Sequence, residues 1–143
     1  MANRIPVSRR KSRQIALSLL YSTEFVSDCD IEKRALETIN LIDKRKTHDE
    51  YAMYLFTGVR KNLETIDKKI KGCSHNWRVE RMSLIDKNII RIAVFELMEK
   101  EIPTEVIINE AVEVAKFFGD SKSPSFVNGI LDTLAKIIRK DEK

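Results

Sequence analysis

Apolar residues recur at three- and four-residue intervals along almost the whole chain, the spacing of amphipathic helices rather than of strands. Ile15, Ala16, Leu19 and Leu20, with Leu17 and Phe25 nearby, predict a helix from about Ser8 to Phe25. Asp28 or Asp30 is placed to cap a second helix carrying Ala35, Leu36, Ile39 and Ile42, ended by the Lys-Arg-Lys run at 44–46. Thr47 and Glu50 have capping-box spacing and open a third, long helix with Tyr54, Leu55, Val59, Leu63, Ile66 and Ile70 on one face and Gly72 as its stop. Residues 73–77 (CSHNW) read as a loop. Ser83 and Asp86 repeat the capping spacing before Ile89, Ile90, Ala93, Val94 and Leu97, with Pro103 beyond the helix end. Thr104 starts a helix bearing Val106, Ile107, Ala111, Val114 and Phe118, closed by Gly119. Ser123-Pro124 reads as an N-cap with a first-turn proline, opening a last helix with Val127, Ile130, Leu131, Leu134 and Ile138, after which the RKDEK tail frays. Asn109 and Asn128 read as helix–helix hydrogen-bonding residues, and mid-helix Gly129 as a close helix crossing.

The pattern is therefore all-α, with six to seven helices in a single domain over 1–143, dividing into two helical halves near 72–77. The 143 residues can bury a core without a staple, and only 4 Gly and 3 Pro interrupt the helices. No apolar run reaches the ~18 residues of a membrane span, and the first residues lack the pattern of a secretory signal. Cys29 and Cys73 form no CxxC pair, so two free thiols in a cytoplasmic protein are expected. Charge changes the picture more. Arg4, Arg9, Arg10, Lys11 and Arg13 fall within residues 1–23, which hold no acid, leaving 21 basic against 22 acidic residues elsewhere. A basic arm (1–13) on a near-neutral body points to a polyanion, or else to a solubilising tail.

Catalytic and metal chemistry find little support. Cys73 and His75 offer two ligand types, but a closed zinc site needs a second pair and the other histidine is the distant His48. There is no GxSxG elbow and no glycine-rich phosphate loop. Glu110 and Glu113 share a helix face without the Glu-x-x-His companions of a two-metal bundle, and read as a solvated or protein-contact surface. No catalytic residue, metal or cofactor is assigned. Recognition remains. Arg9, Arg10 and Arg13 stand on the first turns of a helix, where cations oppose the macrodipole; this suggests a use beyond stability, or an arm that becomes helical on a partner. Arginine suits RNA through its planar fork, and unstacked bases sit on aromatic or guanidinium planes. Tyr21 roughly continues the arginine face. By periodicity Arg91 falls on the exposed side of its helix and Phe126 in the core.

Three stretches taken in order carry a resemblance. RRKSRQIALSLLYSTEF (9–25), NWRVERMSLIDKNIIRIAVFELMEKEIP (76–103) and TEVIINEAVEVAKFFGDSKSPSFVNGILD (104–132) resemble the basic first helix, the RIAxxEL core and the INEAVELAKxFG and KFVNGxLD elements of the NusB family of transcription antitermination factors, over roughly residues 8–135. The resemblance implies two packed three-helix bundles. It also implies binding of boxA-type single-stranded RNA with NusE, a ribosomal small-subunit protein, within an RNA polymerase antitermination complex on ribosomal RNA operons. It puts Arg9, Arg10, Arg13, Tyr21, Arg91, Lys122 and Phe126 on the RNA face, Asp86 against NusE, and allows a homodimer. Ser125 stands where many relatives have Lys, removing a phosphate contact, and Lys122 stands where some carry an acid. The competing readings are a protein adaptor without RNA specificity, a relative of the helical domain fused to ribosomal RNA methyltransferases, and a DNA-binding helical protein. For the second, no cofactor-binding segment is seen.

Overall fold

The computed structural model describes residues 8–25, 33, 37, 50–73 and 82–140. Among these, the regular elements are six α-helices: α1 (Arg9–Thr23), α2 (Glu50–Lys61), α3 (Leu63–Cys73), α4 (Leu84–Glu99), α5 (Thr104–Phe118) and α6 (Ser123–Ile138). The helix expected after Asp28 or Asp30 lies outside the described residues, apart from Lys33 and Glu37, both helical and exposed.

The centre of the fold is α4. Asn88 to Leu97 are buried without interruption, the mark of a helix covered on every side, and α1, α2, α3, α5 and α6 all pack against it. All six helices contribute to one buried apolar cluster, including Leu19 of α1, Leu55 of α2, Ile66 of α3, Ile107 of α5 and Leu131 of α6. The expected division near 72–77 falls largely outside the described residues.

The capping chemistry shows where local rules suffice. Ser8 caps α1, its Oγ accepting from the Lys11 N–H at 3.2 Å. Ser83 caps α4, accepting from the Asp86 N–H at 3.0 Å. Both satisfy an orphan donor of the first turn.

Other expectations give way to neighbours. The single long helix is two, broken at Asn62, whose side-chain amide donates to the Gly58 carbonyl at 2.8 Å while its own N–H reaches the same oxygen at 3.1 Å. The Gly58 oxygen therefore accepts twice at the junction of the two helices, from the Asn62 backbone and from its side chain. Gly72 does not stop α3, which runs on to Cys73, and no described glycine has positive φ. Ser123 is the first residue of α6 rather than its cap; Asp120 Oδ1 accepts from the Lys122 and Ser123 N–H groups at 2.8 and 3.1 Å. Gly129 marks no crossing: a Cβ there would meet nothing within 4 Å. Asn109 and Asn128 are exposed. Arg139 does not fray. Buried behind α4, it donates to the Leu97 carbonyl at 3.0 Å, the Glu96 carbonyl at 3.4 Å and Thr104 Oγ1 at 3.0 Å, so a cation satisfies the carbonyls at the negative end of α4.

At Gly58 of α2 an added Cβ would lie 2.1 Å from Cζ of the buried Phe95 of α4. The obstacle is a ring held in the core, so it cannot swing away. Gly58→Ala should lower stability by about 1–3 kcal/mol through overpacking, read as a lower urea midpoint with an unchanged m-value.

Candidate nucleic-acid interface

The first turns of α1 carry the arginine cluster, and no acid lies in the first turn to balance it. The acids come from other helices. Arg13 is only 5% exposed. Its Nε and Nη2 donate to the Glu96 carboxylate of α4 at 2.9 and 2.8 Å, and its Nη1 lies 3.5 Å from Glu110 of α5. Arg10 donates to Glu110 through Nε and Nη2 at 3.0 and 2.7 Å, while its side chain stays 52% exposed. Arg9 lies over the Tyr51 ring of α2, with Cζ 4.2 Å from the centroid, within cation–π range. The Tyr51 hydroxyl in turn donates to Glu96. Three arginines of one helix thus rest on Tyr51, Glu96 and Glu110 from three others.

The electrostatics follow from this packing. Burial pushes the Tyr51 phenol above its ordinary value, and its bond to Glu96 adds to the shift. The Arg10 bond holds the Glu110 carboxyl below the usual range, against the opposing effect of burial. Burial also lifts the Tyr54 phenol to about 12, helped by its hydrogen bond to Glu99 at 2.6 Å.

The remaining expected residues separate into two kinds. Arg91 is a correction to the reading from periodicity: it is 8% exposed. It donates to Asp67 of α3 through Nε and Nη2 at 2.9 and 2.8 Å, and through Nη1 to Glu24 at 2.9 Å and Asn88 Oδ1 at 3.1 Å. A cation on an all-buried helix needs such partners. Both the Arg13 and Arg91 forks are therefore occupied inside the protein. Tyr21, by contrast, is 39% exposed. Eleven residues from Arg10, it lies about 20° around and about 16 Å along α1, with its ring edge-on to Phe25 at 5.4 Å. Lys122 is exposed. Phe126 is half-buried against the core, as its periodicity suggests. Asp86 is nearly buried, and its Oδ1 has no hydrogen-bond partner.

Helix directions decide which of these come together. The start of α1 meets the end of α4 at Arg13–Glu96, and the end of α1 meets the start of α4 where Asn88 and Arg91 reach Glu24. Arg9, Arg10 and Arg13 therefore lie at one end of α1, and Tyr21 at the other, toward the start of α4 that carries Asp86. Following α5 from Glu110 for about 12 Å leads to Phe118 and the turn bearing Lys122. That end also exposes Phe117, at 74%, its ring 4.9 Å from that of Phe118.

Tyr51, Glu96, Glu110 and Phe117 are absent from the site expected from sequence. Glu96 did leave a signal: an acid inside the apolar run RIAVFEL has to find a buried partner. Glu110 shows in the sequence only as a solvated or protein-contact face shared with Glu113, and Tyr51 and Phe117 leave no signal that pattern alone can read. His48, His75 and Cys29 lie outside the described residues, and among the described residues no three potential metal ligands cluster. No helix among them is long and apolar enough to cross a membrane.

Comparison with known proteins bears on this geometry. A family model described as the NusB family matches residues 10–136. The transcription antitermination protein NusB of Geotalea uraniireducens is 41% identical over 143 aligned residues, covering 94% of this chain and 99% of that one. That of Bdellovibrio bacteriovorus is 42% identical over 134, covering 90% and 96%. The structure of T. maritima NusB is similar with a TM-score of 0.80 at 39% identity, covering 92% of this chain and 93% of that one. A structure of the antitermination factors NusB and NusE in complex with double-stranded RNA shares the fold, with a TM-score of 0.78 at 24% identity, covering 90% and 96%.

The buried pair is tested by truncating one partner. Glu96→Gln should cost up to about 3–5 kcal/mol by leaving the buried Arg13 charge to the longer Glu110 pair at 3.5 Å, and the double variant Arg13→Met/Glu96→Met should recover a large part in urea unfolding. Acid should act on the outer pair. Because the folded Glu110 pKa is depressed, its contribution is present above the ordinary carboxylate range and is lost as pH falls through the folded value. Glu110→Gln should flatten that part of the acid limb of a stability–pH curve.

Proposed function

The chain belongs to the NusB family, and from that premise we propose that it is a transcription antitermination factor, acting in the cytoplasm, that holds boxA-type single-stranded RNA jointly with NusE and so assists RNA polymerase on ribosomal RNA operons. The observation that carries the reading is the half-exposed Arg10 fork at the start of α1, beside Arg9 on its Tyr51 platform. Cations at a helix N-terminus act against the macrodipole, so exposed arginines there call for a polyanion. The fold neighbour solved with NusE holds double-stranded RNA, which supports NusE and an RNA as partners, while the single strand rests on the family resemblance.

In this reading Arg9, Arg10, Lys11 and Lys122 meet phosphates, and Tyr21 and Phe126 offer ring surface to unstacked bases. Arg13 and Arg91 belong behind this face: they fix α1 against α4 and act on RNA through that fixation. Asp86, expected against NusE, is as buried as Arg91 and its unbonded Oδ1 is closed to solvent, so in this reading it acts on NusE through the start of α4 that it helps to shape. No catalytic step is involved. NusE and RNA must strengthen each other's binding by the same factor.

The test is a titration with single-stranded boxA-like RNA, a scrambled strand and a duplex, with and without NusE, at several salt concentrations. Neutralising about four phosphates gives a log–log salt slope near −2.8 for a single strand, with boxA preferred and NusE increasing the affinity. Equal binding of boxA and scrambled strands would reduce the cluster to a generic polyanion site. A preference for the duplex would move the reading to shape recognition, and no binding even with NusE would leave an adaptor.

A further inference from the structure

We propose that Glu110 is a positioning residue for RNA binding: it sets the Arg10 guanidinium so that its outward edge meets a phosphate. This rests on the RNA-binding reading above and deepens it.

A guanidinium carries five N–H donors. Arg10 spends two of them, along its Nε–Nη2 edge, on the Glu110 carboxylate at 3.0 and 2.7 Å. The other edge, both Nη1 hydrogens and the second of Nη2, is left as an end-on fork, the geometry that binds phosphate in bidentate fashion. The side chain is half-exposed on the Arg10 side of the pair and largely covered on the Glu110 side. Glu110 is itself held from behind. The Arg13 Nη1 lies 3.5 Å from it, and Arg13 is fixed by Glu96 within the core. The carboxylate therefore cannot follow Arg10 outward, and the order from inside to outside is Glu96, Arg13, Glu110, Arg10.

Without this seat Arg10 would be a long side chain on the first turn of a helix whose N-terminus repels it. Its rotamers would have to be fixed when RNA arrives, at a cost in affinity. Glu110 fixes them beforehand. Its negative charge works the other way, since removing it makes the surface more positive. The two effects have opposite signs, which makes the proposal testable: positioning predicts weaker RNA binding when an acid is removed, whereas charge alone predicts tighter binding.

The experiment uses the full chain with NusE and single-stranded boxA-like RNA, comparing Glu110→Ala, Glu110→Gln, Arg10→Ala and the double variant Arg10→Ala/Glu110→Ala across a salt series. Glu110→Ala should weaken binding about 3- to 10-fold and make the salt slope shallower by about 0.7, the loss of one single-strand phosphate contact. Glu110→Gln, which keeps one acceptor for the fork, should lose less. In the Arg10→Ala background, where the positioning effect is gone and the charge effect alone is left, Glu110→Ala should cause no loss and a slight gain in binding. Glu110→Ala binding as tightly as the unaltered chain, or more tightly, overturns the proposal, as does an equal loss in the Arg10→Ala background, which would mark a purely structural effect. Arg10→Ala binding like the unaltered chain would instead show that Arg10 is not on the RNA face, a failure of the reading beneath it. Melting temperatures of each variant check folding, and Glu110→Gln carries the test if Glu110→Ala is unstable.

Discussion

What the surface arginines present to solvent depends on an ion pair that solvent barely reaches, Arg13 with Glu96. Removing two charges from water is expensive, and the pair is worth having only with good geometry and with the remaining hydrogen-bonding capacity used. Both conditions hold: the contact is bidentate, the Tyr51 hydroxyl donates to the same carboxylate, and Glu110 lies within reach of the outward-facing Nη1. Such a pair adds little net stability over an apolar substitute, but it accepts only one register. If α1 slipped by a residue against α4, Arg13 would be left buried and alone. Arg91 does the same at the other end of α1, joining it through Glu24 to α3 and α4. Two joints about 16 Å apart along the helix fix both its rotation and its position.

The parts of this architecture legible in the sequence are those governed by nearest neighbours. Ser83 caps its helix, as its spacing to Asp86 predicts, because a hydroxyl three residues before an N–H needs no tertiary help. The apolar stripes name the core because burial follows period. Asn62 is harder: the chain divides there into two helices, where its amide and its N–H share the Gly58 carbonyl, and periodicity alone reads one helix. Charges were hardest. Arg13 and Arg91 look in sequence like the exposed Arg9 and Arg10, because the acids that claim them lie 83 residues away in one case, and 24 and 67 in the other. Charge pattern counts cations without saying which are already paired. Arg139 shows the same blindness, reading as a tail residue while its fork closes the end of α4.

The buried framework also bears on how the arm meets a partner. From Arg9 onward the basic segment is already helical and capped, so for those residues the ordering that a folding-on-binding segment undergoes at contact has taken place within the protein itself. A structural role alone would account for Arg13, whose partners are all internal. It does not account for Arg9 and Arg10, which add charge to the positive end of α1 and keep exposed surface while doing so. Tyr51 and Glu110 offset that local repulsion without hiding either side chain. Stability by itself would favour an acid or a neutral residue in that first turn. Retaining two supported and accessible arginines there makes sense when the charge the helix end lacks is supplied from outside, by an anion aligned with a surface that its neighbours have already fixed.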